Sequence, residues 1–192
     1  MTEEGDRRGQ GARPARAPRR RITPDYLQRA AMHYLERYSA PAAQLRRVLA
    51  RKIALSCRHY GEDPAMHAAA LDDVVSRCIS SGLVDDRRFA EARAATLRRR
   101  GRSARAVAAS LAAKGVGREL AQQASSAGDE EELAAARKAA RRKRLGPWSR
   151  ADRAASRQRD LAALARAGFT ITVARAVIDG PGDEDTNDGP LA

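Results

Sequence analysis

Five times between residues 82 and 170, a glycine is followed within three positions by a residue suited to open a helix. The pairs are Gly82 and Asp85, Gly101 and Ser103, Gly115 and Gly117, Gly128 and Asp129, and Gly168 and Thr170. Glycine adopts the left-handed conformation that ends a helix without the steric cost of a Cβ. Ser, Thr or Asp then accepts a hydrogen bond from the unpaired N–H groups of the next helix. A chain punctuated this way has room for short helices and little else. Thr170–Val173 is the only β-branched run, too short to found a sheet. Ala, Leu, Arg and Glu favour the same helical state. The expectation is an all-α protein, and aromatic residues at 4% imply slim helices packed closely.

The helices fall into three groups of three. In the first group, Thr23 is the cap, Pro24 takes the first helical position, and Ile22 and Leu27 stand at the ends of a hydrophobic staple. Leu27, Ala30, Ala31, Tyr34, Leu35 and Tyr38 follow at helical spacing, and the three tyrosines Tyr26, Tyr34 and Tyr38 are assigned to the core. Ser39 opens a second helix with Leu45, Val48, Leu49 and Ile53 on one face. A loop around Gly61 leads to a third helix that begins near Met66, carries Leu71, Val74, Val75, Cys78 and Ile79, and ends at Gly82 with Leu83 turned back toward Cys78. The middle group runs from Asp85 to Arg100, from Ser103 to Lys114, and from Gly117 to about Ala127. In the last group Asp129 and Glu132 have capping-box spacing. That helix places four acids at its start and its bases at its end, matching the helix dipole. Gly146-Pro147 ends it; residues 149–167 and a helix capped by Thr170 complete the group.

An apolar residue paired with another five positions on recurs in each group's second helix: Val48–Ile53, Leu111–Val116 and Leu164–Phe169. Internal repetition of this kind predicts three tandem three-helix repeats, at 22–84, 85–128 and 129–179, packed neighbour on neighbour into an elongated, curved array. Residues 1–21 and 180–192, rich in Gly, Pro and charge, are expected to be disordered.

Asp85 and Asp86 could be a carboxylate pair doing chemistry. Capping explains them more simply. Asp85 is the N-cap, Asp86 lies in the first turn where a negative charge suits the dipole, and Val84 and Phe89 occupy the staple positions. No Ser–His–Asp or Cys–His arrangement is present, and "GRSARAVAAS" lacks the Lys-Ser/Thr ending of a phosphate loop. Cys57 and Cys78 form no CxxC, and His33, His59 and His67 have no metal-ligand spacing. No catalysis, metal or cofactor is expected, and the thiols read as buried and reduced in a cytoplasmic protein. No apolar run long enough for an export signal or a membrane span follows the Arg-rich start.

The formal charge is +13. The first 24 residues hold +4 of it and residues 179–192 hold −5, so +14 belongs to residues 25–178. Two stretches concentrate it. One holds Arg93, Arg98, Arg99, Arg100, Arg102 and Arg105; the other holds Arg137, Lys138, Arg141, Arg142, Lys143 and Arg144, and continues to Arg159. With Lys114 these form a candidate basic binding face. Such single-sign runs suit a polyanion or an acidic groove, although a merely solubilising surface has the same composition. Aromatics for stacking on bases are scarce beyond Trp148, so DNA binding should be electrostatic and without sequence preference.

Gly82-Leu83-Val84-Asp85-Asp86, Phe89-Ala90, Arg100-Gly101, Ser103, Leu111 and Lys114-Gly115-Val116 together resemble the central repeat of the RecX recombination regulators. Residues 159–178 resemble that family's closing repeat. The resemblance implies a non-catalytic cytoplasmic monomer that binds the RecA recombinase and its nucleoprotein filament. It would modulate, mostly inhibit, ATPase and strand exchange in recombination, repair and the SOS response. Gly82, Leu83, Val84, Asp85, Asp86, Phe89, Gly101 and Gly115 would be its structural motif. Two departures stand out: an Ala-rich second helix at Ala108-Ala109-Ser110, and a first repeat with an extended loop at residues 55–65 and no glycine before Ile53. The alternative reading is a helix-turn-helix transcription regulator, for which "GRELAQQASSA" is poor in base-reading side chains. An RNA-binding module would lack an aromatic platform.

Overall fold

The computed structural model describes residues 20–182. Nine α-helices are present among them: α1 Pro24–Leu35, α2 Ala42–Tyr60, α3 Ala68–Ser80, α4 Asp86–Arg99, α5 Ala104–Lys114, α6 Arg118–Ser125, α7 Asp129–Lys143, α8 Arg153–Arg166 and α9 Ile171–Ile178. Single 3-10 turns at Pro64–His67 and Gly146–Trp148 complete the architecture, and the described residues contain no strand. The expectation of disordered tails falls, for residues 1–19 and 183–192, outside the described residues. Their inner ends are held: the Arg20 carbonyl accepts from the Ser56 hydroxyl at 3.0 Å, Arg21 pairs with Glu62 at 2.7 Å, and the Gly180 carbonyl accepts from Arg153.

Burial divides the apolar residues into three cores. Leu27, Leu45, Leu49, Ile53, Val74 and Val84 belong to the first, Leu97, Val107, Leu111 and Val116 to the second, and Leu161, Leu164, Phe169, Val177 and Ile178 to the third. Each core is closed by three helices, and the principal packing runs within those groups. In the third core, α7 contributes Ala135, Ala136, Ala139 and Ala140, so α9 packs closely on it, and α8 adds Leu161 and Leu164 to the same core.

Several local expectations are corrected. The five-residue pairing holds at Leu111–Val116 and Leu164–Phe169, where the later N–H donates to the earlier carbonyl at 3.2 Å past a left-handed glycine. In the first group the same device lies at Cys57–Glu62, past Gly61, and not at Val48–Ile53. Helix α2 therefore runs to Tyr60, and residues 55–60 are helix where a loop was expected. The left-handed glycines Gly61, Gly115 and Gly168 recur 54 and 53 residues apart.

After Gly82, Val84 returns, with its N–H on the Cys78 carbonyl at 3.0 Å, while Leu83 stays exposed. Val84 seals the first core and Phe89 packs against the second, so the staple positions serve different cores. Tyr38 lies beyond the end of α1 and is exposed, its ring tilted against Tyr34 at 5.2 Å between centroids. Met66 sits exposed on a 3-10 turn ahead of α3. Helix α7 is preceded by Gly128, so Asp129 is its first residue and not its cap. The helix ends on Arg144, itself left-handed at φ 56°.

The joints between groups repeat one plan. Helix α2 has no side-chain cap of its own from Pro41 or Ser39; the Ala42 N–H donates to Asp86 Oδ1 of α4 at 2.8 Å. Helix α5 is capped twice: by Ser103, which accepts from the Ala106 N–H at 3.2 Å, and by Glu132 of α7, which accepts from the Ala104 N–H at 3.0 Å. An acid in the first turn of one group's first helix thus caps the second helix of the group before. The second helices also meet end to end. Gly115, at the end of α5, abuts Ala43 at the start of α2, and Gly168, just past α8, abuts Ser103 at the start of α5. A negative helix end faces a positive one at each joint, the favourable alignment of helix dipoles.

Candidate functional site

Asp85 and Asp86 are both engaged in capping. Asp85 accepts from the Arg88 N–H at 2.9 Å, and Asp86 reaches across to α2.

The basic stretches separate into working parts. Arg98 is structural: its guanidinium donates to the Ser125 and Ser126 carbonyls at the end of α6 and pairs with Glu131 of α7 at 2.7 Å. Arg142 donates to the Arg100 carbonyl, tying α7 to the turn before α5. Arg93 is half-buried on α4. Arg99 donates to Thr96 Oγ1 at 3.2 Å within its own helix. Farther on, Arg153 clamps the Ile178 and Gly180 carbonyls, and Arg157 pairs with Asp179 at 2.7 Å. That bond pulls the Asp179 carboxyl below the usual aspartate value and raises Arg157.

The remaining members of the predicted face, Arg100, Arg102, Arg105, Lys114, Arg137, Lys138, Arg141, Lys143 and Arg144, are exposed. Three of them converge. A groove of about 660 Å³ lies between the second and third groups, with Arg102, Arg105 and Lys143 on its rim. Arg166, from the end of α8, joins them and was not singled out in the sequence. Its only trace there was a base next to the glycine stop at Gly168, which is common at a helix end. Ala106, Ala109, Ser110, Ala163 and Ala167 also line the groove, and among the described residues no acid lines it. Lys114, Arg137 and Lys138 lie outside it.

The sequence explains the opening. Arg47 is the sixth residue of α2, and its guanidinium lies across the first joint, donating to the Ala113 and Lys114 carbonyls. Ala109 is the sixth residue of α5 and leaves that space empty at the second joint. The second residues are exchanged in the same sense: Ala43 in α2, Arg105 in α5. A guanidinium satisfied by carbonyl oxygens is spent, whereas one on the rim of a small-residue groove can fork onto phosphate or carboxylate. By contrast, the groove of about 600 Å³ between α4 and α6 mixes Arg87, Arg98 and Arg99 with Glu91 and Glu131.

The fold defines a protein of tandem three-helix repeats. Residues 85–124 match the family model described as the second three-helix domain of RecX. A curated relative, the regulatory protein RecX of Myxococcus xanthus, is 40% identical over 179 residues, covering 90% of this chain and 96% of the relative. The chain belongs to the RecX family. The crystal structure of RecX from Lactobacillus salivarius shares the fold at a TM-score of 0.65 and 16% identity, over 81% of this chain and 94% of that one.

No helix among the described residues is long and apolar enough to cross a membrane.

Proposed function

We propose that this chain is a non-catalytic cytoplasmic regulator that binds the RecA–DNA filament as a monomer and inhibits its ATPase and strand exchange. The groove between the second and third groups is the contact centre. The observation that carries this reading is four cations from separate elements, Arg102, Arg105, Lys143 and Arg166, around an alanine-lined groove with no acid among the described lining residues. Arginines at such a rim suit the phosphates of DNA and the carboxylates of a protein filament alike, and both lie along one nucleoprotein groove. Family membership supports the regulatory role, and RecA as partner is what the motif resemblance implies. Contacts along a row of repeats would bridge neighbouring protomers and oppose the subunit motion that ATP turnover requires.

The wild-type chain should suppress RecA's DNA-dependent ATP hydrolysis at near-stoichiometric ratios. Reversal to Glu at Arg102, Arg105, Lys143 and Arg166 should weaken filament binding by tenfold or more and flatten its salt dependence. Reversal of Arg29 on α1 should leave both unchanged. Equal loss from the two variants, or none from the groove variant, would overturn the groove assignment. A footprint on one defined duplex site would favour the helix-turn-helix reading.

A further inference from the structure

We propose that Cys57, Glu62 and His67 form a binding site for one Zn²⁺ ion per chain. Read along the chain, these residues have no metal-ligand pattern. The fold brings them together. Helix α2 ends at Tyr60, and Gly61, left-handed at φ 69°, reverses the backbone. The Glu62 N–H then donates to the Cys57 carbonyl at 3.0 Å, so the carboxylate lies beside the last turn that carries the thiol. Asp63 accepts from the Ala65 N–H at 2.9 Å and sets the 3-10 turn Pro64–His67, which swings the imidazole over the same point. One ligand atom from each residue lies within 4.8 Å of the other two.

The set has the chemistry of a zinc centre: a thiol, an imidazole and one carboxylate, with a fourth position for water. With zinc bonds of about 2.0–2.3 Å, the edge of a ligand tetrahedron is about 3.4 Å. His67 Nε2 already stands 3.7 Å from Glu62 Oε2. That nitrogen is buried and has no hydrogen-bond partner, an arrangement that costs free energy unless something else occupies its lone pair. Arg21 holds the other carboxylate oxygen, Oε1, at 2.7 Å and leaves Oε2 facing the imidazole. Orienting contacts of this sort accompany metal ligands. The thiol gives one proton to solvent as the S–Zn bond forms. The bound ion ties the end of α2 to the turn that leads into α3.

The test uses the full-length chain, purified in chelator and titrated with Co²⁺ as a spectroscopic probe, then with Zn²⁺ as competitor. One equivalent of Co²⁺ should give a thiolate-to-cobalt charge-transfer band that Zn²⁺ abolishes, and Zn²⁺ should raise the melting temperature. Cys78→Ser, at the other buried thiol, should keep the band. Cys57→Ser should lose it, and His67→Gln should weaken Co²⁺ binding by tenfold or more. Absence of the band in the wild type, or its survival in Cys57→Ser, overturns the site. Should Cys57→Ser fail to fold, His67→Gln and Glu62→Gln carry the test, and unchanged Co²⁺ affinity in both overturns it. RecA inhibition enters none of these readouts.

Discussion

The two joints of the array share a backbone plan and differ in where they place arginine. At each, an acid from the following group caps a helix of the preceding one, Asp86 on Ala42 and Glu132 on Ala104. At each, a left-handed glycine abuts the start of the next helix. The first joint is then sealed by Arg47, whereas the second keeps Ala109 at that position and stays open. One repeat geometry thus yields a sealed joint and a cationic groove, according to which of two positions on a helix carries the arginine. Net charge alone does not distinguish them; hydrogen-bond partners do.

Replacing the glycine that the first joint depends on should have the largest effect. Gly115 has φ 93°, and an added Cβ would lie 2.5 Å from Ala43 Cβ. Gly61 has φ 69° but open space around it. Gly115→Ala should cost about 2–4 kcal/mol in urea denaturation, from left-handed strain plus overpacking, whereas Gly61→Ala should cost about 1–2 kcal/mol from strain alone. Equal losses would show that the joint is looser than its contacts imply.

Exchanging the arginine between joints should have an intermediate effect on stability and an opposite effect on binding. Arg47→Ala removes the donor to the Ala113 and Lys114 carbonyls and should cost about 1 kcal/mol while leaving filament affinity unchanged. Ala109→Arg places a guanidinium in the open groove; it should lower filament affinity severalfold with a stability change under about 0.5 kcal/mol. If Ala109→Arg binds as the wild type does, the open joint is not the contact.

The smallest effect should come from the outer end of the third group, where Arg157 pairs with Asp179. The Asp179 carboxyl is held below its ordinary value by that hydrogen bond. Its contribution is therefore present above the ordinary carboxylate range and is lost as pH falls through the lowered value. Asp179→Asn should leave a slightly shallower loss of stability on acidification below about pH 4, measured as melting temperature against pH.

Local chemistry made the helices legible. Thr23, Asp85, Ser103 and Thr170 each accept the backbone hydrogen bond that a cap should accept. Gly82, Gly101, Gly115 and Gly168 all have positive φ. Where two assignments satisfy the same local rule, residue order does not choose between them. Val48 and Ile53 have the right spacing but lie mid-helix, because helix propensity carries α2 on to the next glycine. Asp129 and Glu132 have capping-box spacing, yet Glu132 is used 28 residues upstream.

The candidate groove was half legible. Arg102, Arg105 and Lys143 stood out in single-sign runs, but Arg98 and Arg142 from the same runs are spent on carbonyl oxygens, and Arg166 lay outside them.

Residue order alone determined the all-helical state, the stops and starts, and the threefold repetition, because caps, left-handed glycines and apolar spacing act within about five residues. Only the tertiary structure decided which acid caps which helix, which arginine is consumed, and that Cys57, Glu62 and His67 share one point. Those outcomes depend on where distant helix ends meet, and a side chain's partner there is set by packing geometry that spacing along the chain does not encode.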